Sequence, residues 1–76
     1  MVHAVIMIRT GPSASQAVRD AISRVENVVD VHVVAGEFDV IAEIDGDEVY
    51  EVLDTATTEV QDTEGVEETK TYVALS

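Results

Sequence analysis

Four consecutive residues, Gly36, Glu37, Phe38 and Asp39, put backbone freedom, an aromatic ring and two carboxylates in one place. Glycine lets a ligand or another chain come close to the backbone, and an aspartate just past a turn can accept from amides or from an ammonium group. The segment is either the tip of a β-hairpin or one wall of a binding site, and the residues themselves leave both readings open. His3 and His32 fall on strands expected not to be neighbours, so they do not supply the converging donors a metal needs; no metal site is expected. Carboxylate pairs such as Glu67 with Glu68, Asp47 with Glu48, and Glu59 with Asp62 read as a solvated acidic surface. There is no cysteine and no glycine-rich phosphate cradle, and no serine or threonine can be tied by sequence to a histidine base. Neither catalysis nor a cofactor is expected.

The charge balance narrows the partners. Sixteen acidic residues stand against four basic ones (Arg9, Arg19, Arg24, Lys70), for a formal net charge of −12. Affinity for nucleic acid comes largely from lysine and arginine releasing counterions, so direct binding to DNA or RNA is disfavoured, as is binding to anionic membranes. A hydrophobic content of 46%, rich in valine, argues against disorder. A folded chain this acidic reads as salt-adapted, because molar salt screens the self-repulsion that would oppose a compact state in dilute buffer. VHAVIMIR at the N-terminus is about one strand long, without the flanks of a signal peptide or the length of a membrane span. A soluble, cytoplasmic protein is expected.

The elements that would position these residues can be read from periodicity. Val2–Arg9 is a strand ended by Gly11 and Pro12. Ser13 and Gln16 are spaced as a capping box, opening a helix whose stripe is Ala14, Ala17, Val18, Ala21, Ile22 and Val25. Val28–Ala35 and Phe38–Asp45 are strands flanking the Gly36 turn, and Asp45, Gly46 and Asp47 supply turn and cap chemistry for a second helix. Its stripe is Val49, Val52, Leu53, Ala56 and Val60, and Val66–Leu75 closes the chain as a fourth strand. Asn27-Val28 after the first helix is echoed by Gly65-Val66 after the second.

The order βαββαβ predicts one domain over residues 1–76, an α+β ferredoxin-like fold with a four-stranded antiparallel sheet and both helices on one face. At 76 residues such a domain is near the lower size for a self-sufficient core. The face away from the helices still carries Val5, Met7 and Ile41, whereas a lone sheet needs one apolar face; the second is expected to pack on another copy, giving a dimer.

V-x-x-V-x-V-V-x-G (Val28, Val31, Val33, Val34, Gly36), followed by G-x-F-D (Gly36, Phe38, Asp39) and the closing GVEETKTYVAL, resembles the effector-binding domain of the Lrp/AsnC transcription regulators over about residues 2 to 75. The resemblance implies a homodimer with facing sheets, often assembled into rings of dimers, and amino-acid effectors bound where dimers meet, near the hairpin after the second strand. Carried over by position, the effector-binding residues would be Gly36, Glu37, Phe38 and Asp39, with Thr69 and Thr71 on the last strand. Backbone groups near Gly36 would meet the ligand carboxylate, and Asp39 the ammonium or the loop's own amides. The family's helix-turn-helix DNA reader has no counterpart ahead of the first strand, so the chain is similar to stand-alone versions of the domain, and any role in transcription would run through a partner such as a full-length regulator.

Alternatives from other classes are a ligand-free dimerisation domain joining full-length regulators into mixed assemblies, and a dimeric barrel enzyme. The latter fits poorly, since the chain has three aromatic residues to build an enclosed pocket. Amino-acid-binding regulatory domains of metabolic enzymes share the topology as well.

Overall fold

The computed structural model describes residues 1–76. The elements are β1 (Val2–Thr10), α1 (Ser15–Ile22), β2 (Val28–Val33), β3 (Val40–Gly46), α2 (Val49–Asp54) and β4 (Val66–Val73). After Asp54 the second helix widens into a π-helical segment, Thr55–Val60. The strands form one antiparallel sheet in the order β2-β3-β1-β4, which is the expected ferredoxin-like α+β arrangement. β1 and β2 are separated by β3, so His3 and His32 are indeed not on neighbouring strands.

Strand alternation decides what each face carries. Ala4, Ile6 and Ile8 on β1 pair with Ile44, Ala42 and Val40 on β3, and all six are fully buried. Directly paired residues share a face, so this set meets Val18 and Ile22 of α1 and Val52, Ala56 and Val60 of the second helix in one core. Burial of each Val or Ile side chain contributes roughly 1.5–3 kcal/mol, enough for this small cluster to hold the layers together. The other face carries Val5, Met7, Ile41 and Tyr72, flanked by His3, Glu43 and Asp45 at one end and Arg9 and Glu68 at the other.

Three local expectations are corrected. Ser13 does not cap α1. Ala14 donates to Gly11 O at 3.1 Å, closing a turn with Pro12 second and Ser13 third at φ 66°, a geometry that takes Ser13 out of the extended conformation a cap requires. The helix starts at Ser15, and Gln16 Nε2 donates instead to Asp20. Ala17 is exposed rather than part of the inward stripe. In the second helix Val49 and Leu53 are exposed while Thr55 is buried. Gln61 N bonds Ala56 O, five residues back, and the wider turn brings Thr55, Ala56 and Val60 inward together. Thr55 is satisfied there, donating to Glu51 O and accepting from Asn27 Nδ2.

The internal echo is structural. Asn27 (φ 79°) and Gly65 (φ 97°) are both left-handed residues immediately before a strand. Their carbonyls accept from Asp45 N at 2.9 Å and Gly11 N at 3.1 Å, so the loop after each helix is tied to the end of a central strand.

Candidate functional site

The connection between β2 and β3 is longer than a two-residue hairpin turn. Val34 N donates to Asp39 O and Asp39 N to Ile8 O, each at 2.9 Å, so the ladder continues to Asp39 and the chain bulges between. Phe38 precedes the strand and is covered to 8% exposure outside the main core. The Asp39 carboxylate accepts from Thr10 N at 2.9 Å, where a register shift at Arg9/Thr10 frees that amide from the β1–β4 ladder. Asp39 therefore fastens the loop to the end of β1 rather than bonding the loop's own amides.

Arg9, not singled out by sequence reasoning, organises the same corner. Its Nη1 donates to Glu37 O at 2.7 Å, its Nε donates to Glu68 Oε1 at 3.0 Å, and its guanidinium lies 4.9 Å from the centroid of the Phe38 ring. The bond to Glu68 and the surrounding carboxylates raise its already high pKa further. One planar cation thus holds a loop carbonyl, a strand carboxylate and an aromatic face together.

Beside this clamp lies a groove of about 370 Å³ lined by Val34, Ala35, Gly36, Glu37 and Phe38 from the loop and by Met7, Ile41 and Tyr72 from the sheet. Six of its eight lining residues are hydrophobic. The amides of Ala35, Gly36, Glu37 and Phe38 donate to no group of the chain. Four residues with unused amides thus line an apolar groove, a composition suited to a small molecule with a carboxylate at one end and an apolar group at the other. Gly36 leaves space there. A Cβ added to it would meet nothing within 4 Å, and its φ is not left-handed, so the turn itself does not require glycine.

Gly36, Glu37 and Phe38 are therefore brought to one groove, while Asp39 does not line it and instead holds the loop to Thr10. Thr69 and Thr71 are not brought there either. They pair with Ile8 and Ile6, which places them on the helix side of the sheet, while Tyr72 is the β4 residue that reaches the groove. Met7 and Ile41 were visible in the sequence as the apolar residue of the second sheet face; Arg9 and Tyr72 carried no distinguishing pattern.

A larger cleft of about 460 Å³ lies between the helices, among Arg24, Glu26, Asn27, Glu51, Asp54, Thr55 and Glu59. Its walls are charged and solvated and it is remote from the hairpin, so the smaller apolar groove is the better candidate. No three His, Cys, Asp or Glu side chains are arranged to hold a metal ion. No helix is long and apolar enough to cross a membrane.

Comparison with known proteins shows the family and the fold. The family described as the Lrp/AsnC ligand binding domain matches residues 3–76. The chain belongs to the Lrp/AsnC family. Its fold is similar to that of TTHA0845 from Thermus thermophilus, with a TM-score of 0.93, 33% identity, and coverage of 100% of this chain and 95% of that one. PHS023 from Pyrococcus horikoshii is similar with a TM-score of 0.91 and 24% identity, over 100% of this chain and 92% of that one. AsnC from E. coli has the same fold with a TM-score of 0.89 and 12% identity; this Lrp/AsnC chain is covered to 99%, but spans 51% of AsnC. The regulator NMB0573 of Neisseria meningitidis, solved in complex with L-Met, matches with a TM-score of 0.83 and 13% identity over 99% of this chain and 50% of that one. No curated protein matches the sequence significantly.

Proposed function

We propose that this Lrp/AsnC domain is an amino-acid sensing and oligomerisation module that acts by binding, not catalysis, and influences transcription or amino-acid metabolism through a partner. The observation that carries the reading is the groove, where four residues with unused amides adjoin an apolar floor of Met7, Ile41, Phe38 and Tyr72. The amides suit the ligand's carboxylate and the floor an uncharged, apolar side chain. The L-methionine bound by the meningococcal relative is of that class. A net charge of −12 disfavours acidic effectors.

The apolar centre of the sheet's open face, with Val5, Met7 and Ile41 half-buried and Tyr72 59% accessible, supports pairing of two copies through that face. It also supports a second reading, in which the groove is filled by a partner copy and the domain serves to join regulators, full-length relatives among them, without an effector. Thermal unfolding at molar salt against the common amino acids, paired with light scattering, separates the two. Sensing requires at least one apolar amino acid to raise the midpoint and shift the assembly state. A flat panel with an intact dimer leaves the joining role.

A further inference from the structure

Both ring nitrogens of His3 meet a carboxylate. Nδ1 lies 2.5 Å from Asp45 Oδ1, and Nε2 lies 3.0 Å from Glu43 Oε1. A neutral imidazole carries one N–H and can donate to one of them; donation to both needs the doubly protonated, cationic ring. The three side chains then carry one net negative charge, and two once the proton leaves.

This cluster sits on the open face of the sheet, beside the apolar centre. Val5 is paired on its two sides with Glu43 and Tyr72, and Asp45 is paired with His3 itself. The other titratable groups near this end are Asp30 on β2, paired across to Glu43 and lying 3.2 Å from His32 Nε2, the Tyr72 phenol on β4, and the Met1 amino group. Lys70 lies across from Met7, and Arg9 is held by Glu68 and Glu37, so neither cation serves this end of the face.

We infer that His3 is a proton switch for pairing of two copies of this chain through their open sheet faces, the protonated ring permitting the faces to close and its deprotonation opening them. The inference rests on the pairing proposed above. Closing the faces withdraws Glu43 and Asp45 from water, and a buried carboxylate left without its cation is strongly destabilising. The hydrogen bond to Asp45 is the largest influence on the ring and, with the charges of both carboxylates, raises its pKa above the ordinary histidine value. The change therefore falls at a higher pH than for an ordinary histidine.

The test is the dimer dissociation constant, measured by sedimentation at molar KCl from about pH 6 to about pH 9, a window in which histidines and the amino terminus are the groups that ordinarily titrate. The expected result is weakening of at least about tenfold across the window, the effect of one unit of differential proton affinity. His3→Gln should be weak and flat with pH, His3→Lys flat because its cation persists, and His32→Gln should keep the native slope. Should a variant fail to fold, the native chain still answers: linkage requires the His3 midpoint, followed by nuclear magnetic resonance, to rise with protein concentration. A dimer indifferent to pH, or a slope that survives His3→Gln, overturns the switch alone. A monomer at every pH overturns the pairing and the switch with it.

Discussion

The amide of Thr10 donates to the carboxylate of Asp39 at 2.9 Å, so a side chain at the start of β3 satisfies a backbone group at the end of β1. Both residues are shielded from solvent, Thr10 being buried and Asp39 half-buried. Removing the acceptor strands the amide, which costs about 1–3 kcal/mol when a buried donor loses its partner. Asp39→Ala should lower the urea midpoint at molar salt accordingly, and Asp39→Asn, which keeps an oxygen at the same place, by less. Equal losses in the two variants would mean that the carboxylate's charge, not the hydrogen bond, holds the corner.

Two glycines give opposite expectations. At Gly65 φ is 97° and an added Cβ would fall 2.9 Å from Val18 Cγ2, so Gly65→Ala combines left-handed strain with a core clash and should destabilise by more than about 1 kcal/mol. Gly36 has neither constraint, and Gly36→Ala should leave the stability unchanged or raise it by about 0.4–1 kcal/mol through loss of unfolded-state freedom. If the groove is a binding site, the same methyl group crowds the approach to the free amides and abolishes the amino-acid response. Gly36→Ala that responds like the native chain would remove the backbone from the binding surface.

This contrast bears on what the sequence reveals. The topology was legible because β1, β2 and β3 are β-branched and aliphatic runs bounded by turn residues, and the helices follow from their stripes. The Gly36–Asp39 segment stood out because it interrupts two such strands. Its details were not legible, because they depend on pairs remote in sequence: Asp39 with Thr10, Arg9 with Glu37 and Glu68, His3 with Glu43 and Asp45. The faces of Thr69 and Thr71 were likewise hidden, since strand register against Ile8 and Ile6 decides them and β4 has no strong alternation of its own. Ser13 misled because a serine three residues before a glutamine fits either a cap or the third position of a turn, and the preceding Pro12 selected the turn.

A net charge of −12 on 76 residues makes salt a stability variable. The Debye length contracts from about 10 Å at 0.1 M to about 3 Å at 1 M, so repulsion between surface carboxylates is removed over that range. The thermal midpoint should rise with KCl, and Glu64→Lys, which relieves the same repulsion at an exposed position, should raise it at low salt and have little effect at molar salt. A midpoint independent of KCl would show that acidity here does not reflect salt adaptation.

Arg9 tests whether the loop must be held for the groove to function. Arg9→Lys keeps a cation opposite Glu68 but loses the fork that reaches Glu37 O and the planar face over Phe38. The expected outcome is a several-fold weaker amino-acid response with the assembly state preserved. Unchanged binding would assign Arg9 to the β1–β4 ladder alone.

His3 makes the stability of the single chain pH-dependent as well, with a sign fixed by its direction of shift. Its pKa in the folded state lies above the unfolded value of 6.5, chiefly through the bond to Asp45. The folded chain therefore holds the proton more tightly, and the resulting stabilisation is fully present below the unfolded pKa and disappears as pH rises through the folded one. Urea midpoints taken at protein concentrations low enough to keep copies apart should fall from about pH 6 upward and level off on the alkaline side. In His3→Gln that fall should vanish, because glutamine neither titrates nor supplies a cation to Glu43 and Asp45. A decline that persists in His3→Gln would place the linked proton on another group and leave the His3 bonds without thermodynamic weight.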